Sequence, residues 1–410
     1  MKKVTYFGLL LAVALTGLSS CSSSDDVTSD PTNLKSGESR LTLTISTPVA
    51  KTASAKGGSF VMGSRATDIN SDPGATAEQT INRITVGIFT SDGGTVRTIQ
   101  ELSSVSSNAG PGEYTQTGAS ATAHIVTNSL VTGDLILVAC NAPTGTFNGV
   151  QNATDFKAKT ENIDNSLATP GGASLVDNNI PMYGSANLEA DGENFKAGVN
   201  VQHQTAKVTL TSLTVAFDQN GAYKDASFTP TRIFLINVPD DLKFDTDAAT
   251  GTSKLWQGYD NKDNSSTYKD YLSTSVFSNG TELKGDNTGS SYSFGPTYFF
   301  YTMPNKKTDK DGRTKLVIEG TFKSSTTDTK GTTVYYPVPL NANYTNGTVD
   351  HATGDVGPAF AVHANKDYQC TVTIKTKGAA NPTDDVTPQQ ATITVNVVPF
   401  TAATQNTVFE

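Results

Sequence analysis

The stretch ATITVNVVPF, residues 391–400, governs how the rest of the chain is read. Ile393, Val395 and Val397 alternate with Thr392, Thr394 and Asn396. This period of two marks a half-buried β-strand. The preceding stretch, GAANPTDDVTPQQ (residues 378–390), has no apolar period and reads as a polar linker that holds the strand away from the body of the chain. Near the other end, RLTLTIS (residues 40–46) has the same pattern, with Leu41, Leu43 and Ile45 alternating with Thr42, Thr44 and Ser46. Before it lie polar residues that read as disordered. After it, residues 47–80 show no clear period. So long a stretch without pattern is uncommon inside a compact domain and points to function or to a linker.

Between these two strands the sequence is regular. Its 410 residues suggest two or three domains. Only 36% are hydrophobic and 17% charged, and the abundant Thr, Ser, Asn and Gly favour strands and turns. Strand patterns fall at 81–90, 96–102, 120–130, 133–143, 179–190 and 196–217, and again at 231–239, 291–305, 313–322, 332–340 and 365–376. SDGG (residues 91–94) is a hairpin turn signal, and DFKAKTENI (residues 155–163) reads as a short helix. Long amphipathic stretches, which an α/β enzyme fold would need, do not occur. The expected fold is all-β, with two tandem β-sandwich domains at 66–217 and 218–377 and a terminal strand on a linker at 378–410.

The first residues read as an address. MKK is a basic start, and residues 4–18 are apolar but too short for a good membrane span. LSSC (residues 18–21) resembles the bacterial lipobox, which implies a signal peptide of residues 1–20 and acyl chains, palmitate among them, on Cys21. SSSDD (residues 22–26) resembles the acidic export tag of surface lipoproteins in Bacteroides-type bacteria. Cys140 and Cys370 lie in strand-like runs. An exported chain could join them in a disulfide, and two free, buried thiols are the preferred reading.

A search for catalytic chemistry returns little. His124, His203, His351 and His363 have no metal-ligand spacing, and neither GxSxG, a phosphate-binding loop nor GxGxxG occurs. Asp309, Asp311 and Gly312 in TDKDGR look faintly like a calcium loop, but the remaining ligands are missing and a hairpin turn is the better reading. Trp256 and the aromatic run at 298–301 could form a glycan platform, although such aromatics are more often core. No enzyme, metal or cofactor is expected. The net charge of −9 without a basic stripe excludes nucleic acid as a partner.

What remains is topology. A sandwich lacking one strand exposes an apolar groove and unpaired backbone groups, and a strand from another subunit can fill it. At this point the chain resembles the major fimbrillins of the Bacteroidales, the type V pilins. The resemblance is carried by LSSC, RITVGIFTSDG, LILVACNAP, QTAKVTLTSL, RIFLINVP, FFYTMPN, NKDYQCTVTI and ITVNVVPF, in that order. Many relatives carry an Arg shortly before the AKV strand, where this chain has VQHQTAKV with His203. The resemblance implies transthyretin-like sandwich domains and a shaft subunit exported as a lipoprotein to the outer membrane. It further implies a trypsin-like surface protease that cuts after an Arg, and polymerisation by donor-strand exchange with identical or related subunits, in support of adhesion to a host or bacterial surface ligand. The implied scissile bond is Arg65–Ala66, with Arg40–Leu41 as second choice. Cutting at Arg65 removes residues 21–65 and with them the placeholder strand of Leu41, Leu43 and Ile45. The implied donor strand is that of Ile393, Val395, Val397 and Pro399. A fimbrial tip or anchor subunit, or a monomeric glycan-binding surface lipoprotein, are the alternatives.

Overall fold

The computed structural model describes residues 34–49, 77–166, 178–251, 254–260, 266–275, 282–285, 298–345, 347–354 and 357–402. The described chain is built almost wholly of strands, which enclose two large hydrophobic cores and two smaller clusters.

The first core lies inside a ten-stranded ladder. Its order runs Glu189–Asp191, Asn194–Asn200, Glu38–Ser46, Ser120–Asn128, Glu113–Thr117, Val96–Ser104, Ile84–Phe89, Leu135–Cys140, Met182–Asn187 and Gln202–His203. The ladder narrows at its middle to two residue pairs, Ser103 with Glu113 and Ser104 with Tyr114. There it bends over, so that Ile84, Val86 and Ile136 from one half share a core with Leu41, Leu43, Ile125 and Val199 from the other. Where the halves meet face to face, a Cβ at Gly184 would stand 2.6 Å from the Asn200 carbonyl, a close approach that only glycine allows.

The second core is a two-sheet sandwich. One sheet runs Tyr298–Thr302, Ala206–Val215, Lys366–Ile374, Ala391–Pro399, Ala342–Thr345, Thr348–His351. The other runs Ser273–Ser275, Ser227–Ile236, Lys315–Lys323, Thr332–Pro339, with Leu283–Lys284 beside Ser227–Ile236. Asn141 and Asn237 end strands in left-handed backbone, at φ of 62° and 57°. Asparagine tolerates this conformation, and each amide braces neighbouring loops by donating to Thr80 and Ile180 carbonyls or to the Arg313 carbonyl.

Two readings of the sequence change. Residues 196–217 look like one closing unit of the first domain, with a boundary at 217. Instead Asn194–Asn200 pairs in the first ladder, whereas Ala206–Val215 pairs with Tyr298–Thr302 and Lys366–Ile374 and belongs to the second core. The change of sheet falls between 203 and 206, within the short polar stretch His203–Gln204–Thr205, and alternation does not register it because strand patterns resume on both sides without a turn signal. The expected helix is shorter, Ala153–Lys157, because Asn152 caps it by accepting from the Asp155 N–H at 2.8 Å, and Thr160–Asn162 then pairs as a strand with Asp241–Lys243.

The larger correction concerns the end of the chain. Ala391–Pro399 is not held away from the body. It pairs antiparallel along its whole length with Lys366–Ile374. On its other side Val395 N–H donates to the Asn343 side chain, and Val395 and Val397 exchange hydrogen bonds with Thr353. Ile393 and Val395 are fully buried in the second core. The linker is strapped down as well. Lys315 donates to the Thr383 carbonyl and to Asp385 at 2.7 Å, Arg313 pairs with Asp385, Ala379 exchanges backbone hydrogen bonds with Tyr335, and Val386 is buried. A polar stretch can thus be ordered by buried cations that need its carboxylates and carbonyls, which apolar periodicity does not register.

An integral strand predicts that Ile393→Ala lowers stability by about 2–5 kcal/mol. Urea unfolding read by the single Trp, Trp256, which lies in the same core, measures it. An unchanged midpoint would mean that the strand contributes nothing to this core.

Candidate strand-exchange site

The first strand fills a slot. Glu38–Ser46 runs antiparallel to Ser120–Asn128 on one side and parallel to Asn194–Asn200 on the other. Leu43 faces Ala123 and Ala197 across the two pairs, and Ile45 faces Ala121 and Val199. Small wall residues leave room for the larger inserted side chains, and Leu41, Leu43 and Ile45 are fully buried. Thr42 and Thr44 point to the half-exposed face. Across from Thr42 stands His124, whose Nδ1 is buried without a hydrogen-bond partner. Burial, and then the nearby Arg40 charge, lower its pKa, so the imidazole beside the strand is held neutral.

Of the two candidate cleavage bonds, Arg40–Leu41 lies within this strand, with Arg40 opposite Val126 and its N–H donating to the Asn194 side chain at 3.2 Å. Cys21, Arg65 and Ala66 lie outside the described residues. Cys140 and Cys370 are free and buried, and burial pushes both thiols far up, which leaves them unreactive. The aromatic run Tyr298–Thr302 is buried throughout, and Trp256 packs under the Lys269 ammonium, so these aromatics form core rather than an exposed platform. The Asp309 carboxylate accepts from the N–H groups of Asp311 and Gly312, as a turn requires. Among the described residues no cluster of three or more metal-ligating side chains occurs.

A third feature escapes the sequence. At the junction of the two cores Glu78 and Lys207 form an ion pair at 2.9 Å, each almost fully buried, and the Tyr301 hydroxyl donates to the same carboxylate oxygen at 2.7 Å. The Glu78 carbonyl accepts from His203 at 2.9 Å, which places the imidazole proton on Nε2. His203 also carries the ring of Phe400 edge-on at 4.8 Å. Segment 77–80, the last strand of the first ladder (Gln202–His203), the start of Ala206–Val215 in the second core and Phe400 after the final strand therefore meet at one point. A lysine inside the fully buried run Ala206–Leu210 is the available signal, because a buried ammonium requires a partner.

Such an assembly defines a class before any comparison is made: an all-β protein with an apolar terminal strand inserted between two others. Residues 58–212 match the model of a family described as major fimbrial subunit protein (FimA), and this match supports a fimbrillin relationship over that span. The fold agrees over nearly the whole chain. A fimbrilin (fimA) from Porphyromonas gingivalis is 15% identical, with a TM-score of 0.55, covering 90% of this chain and 99% of that one. A putative cell adhesion protein from Bacteroides eggerthii is 19% identical, with a TM-score of 0.55 and coverages of 90% and 98%. Another from Parabacteroides distasonis is 14% identical, with a TM-score of 0.57 and coverages of 90% and 99%. No curated protein matches the chain. The matched family is one of fimbrial structural subunits, which supports a fimbrial structural protein here.

The junction predicts a pH dependence. Burial, first, and the Lys207 charge lower the pKa of His203 to about 4. As pH falls below about 6.5 the unfolded chain takes up this proton first, so native stability is lost progressively down to pH 4, by up to about 3 kcal/mol. His203→Gln keeps a donor for the Glu78 carbonyl and removes the titration. Its unfolding free energy should fall less than that of the wild type between pH 6.5 and 4. Parallel curves would contradict a buried neutral imidazole.

Proposed function

We propose that this chain is a fimbrial shaft subunit that polymerises by protease-triggered strand exchange, with residues 41–46 as a placeholder. The observation that carries the reading is the position of the first strand. It is buried between two partners, yet it lies on the N-terminal side of a 27-residue stretch, residues 50–76, whose sequence holds Arg65 among Gly and Ser. Exposed Gly/Ser-rich segments are preferred sites of proteolytic cutting. A cut after Arg40 would sever a paired central strand and leave Leu41, Leu43 and Ile45 in the slot, so Arg65–Ala66 is the better bond.

The energetics are adequate. Replacing three buried side chains such as Leu41, Leu43 and Ile45 by three from an incoming strand exchanges roughly 5–9 kcal/mol on each side. The exchange is therefore near balance while the placeholder remains covalently attached. Attachment gives the placeholder a high effective concentration, and cleavage removes that advantage. The vacated slot then favours a strand with the same apolar alternation and the same chain direction. In this reading the chain is exported as a lipoprotein on Cys21 and held at the outer membrane until the cut, and a trypsin-like surface protease makes it.

The donor comes from the C-terminal end, and two segments compete for the role. Ile393, Val395, Val397 and Pro399 have the matching pattern, but to be donated they must leave nine backbone pairs with Lys366–Ile374. Residues 400–410 follow that strand in sequence and make none of its nine pairs. Truncation after Gly378 would remove a core strand and report on folding alone. Truncation after Phe400 leaves the sheet intact and separates the two. If the tail donates, the truncated, protease-treated subunit stays monomeric on size-exclusion chromatography. If residues 391–399 donate, it still forms ladders. Arg65→Ala should block polymerisation in either case, and polymers from that variant would remove the protease step.

A further inference from the structure

The two terminal strands end beside one another. The Ser46 carbonyl accepts from Val201 N–H at 2.9 Å, two residues before His203. Phe400 packs on His203, its N–H donates to the Asn365 carbonyl at 3.2 Å, and the Asn365 amide donates back to the Phe400 carbonyl at 3.1 Å. Asn365 in turn accepts from His203 N–H. Past Ser46, Thr47 is fully buried, and both its N–H and its hydroxyl donate to the Ala119 carbonyl. The next two residues, Pro48–Val49, pair antiparallel with Thr401–Ala402, Pro48 opposite Ala402 and Val49 opposite Thr401. The chain leaving the plugged slot and the chain leaving the last sheet thus form one small ladder at the junction of the cores.

We propose that residues 47–49 latch the C-terminal tail of the same subunit, so that one cut at Arg65 removes the plug and the latch together. The proposal rests on the strand-exchange reading. It adds that an uncleaved subunit is closed in both directions, since its slot is full and its tail is held. Acceptor and donor become available at the same event. An uncleaved precursor therefore does not add its tail to a neighbour's open slot, and a growing fibre is not capped by a subunit that cannot accept the next one. Thr47 sets the geometry, because its two bonds to Ala119 fix the direction in which Pro48 and Val49 emerge. Phe400 sets it from the other side.

Hydrogen exchange on the full, uncleaved chain tests the latch, with Pro48→Gly/Val49→Gly compared against the wild type. Losing a two-residue ladder should speed exchange of the Thr401 amide, which lies in its hydrogen-bonded pair with Val49, by roughly three- to tenfold, while Leu41–Ser46 stays protected and reports an intact plug. The reciprocal measurement uses the chain truncated after Phe400, in which the Val49 amide should exchange faster by a similar factor with the plug again protected. Unchanged exchange at the freed partner in both chains overturns the latch. Both measurements are made on plugged chains, so they decide the latch whether or not cleaved subunits polymerise. A failure of cleaved subunits to polymerise counts against the exchange reading alone.

Discussion

The structure depends on one constraint: a strand inside a β-ladder satisfies the backbone groups of both neighbours, and nothing else in a dry interior can do so. Glu38–Ser46 does this for Ser120–Asn128 and Asn194–Asn200 while placing three apolar side chains in the core. An empty slot here would expose apolar walls and two unpaired strand edges. The chain must therefore carry a strand of this kind until another replaces it. In the proposed exchange, its placement before the stretch that contains Arg65 puts the replacement under the control of one bond.

The two halves of the molecule solve the same problem differently. In the first, the filling strand comes from the start of the chain and is separated from the rest of its sheet by residues 47–83. In the second, Ala391–Pro399 comes from the far end but is tied down by Asp385, Thr383 and Ala379 before it enters its sheet. Buried cations, Lys315 and Arg313, hold that approach. The Glu78–Lys207–Tyr301 cluster holds the approach to Ile84–Phe89 in a similar way, by burying an ion pair whose partners come from segments far apart in sequence. Breaking such a pair by removing one partner costs about 3–5 kcal/mol, which is ample to fix the junction.

Alternation of Leu41, Leu43 and Ile45, and of Ile393, Val395 and Val397, reveals both terminal strands from sequence alone, because a period of two is a direct image of the pleat. The all-β class follows equally from composition. Partnership does not follow. The same alternation suits a strand that is lent out and a strand that stays home, and only the ion pairs of residues 378–390 distinguish them. Likewise the crossing from one core to the other at 203–206 leaves no mark because His203 and Ala206–Leu210 are buried on either side of it with no turn signal between them. The junction of His203 and Phe400 leaves just a faint mark, a lysine where a buried strand should have none.

The central claim is that the first strand is temporary. The N-terminus of subunits recovered from high-mass polymers sheared from the cell surface tests this most directly. A start at Ala66, with residues 41–46 absent from the fibre, is the result the account predicts. Fibres whose subunits retain Leu41–Ser46 would contradict it.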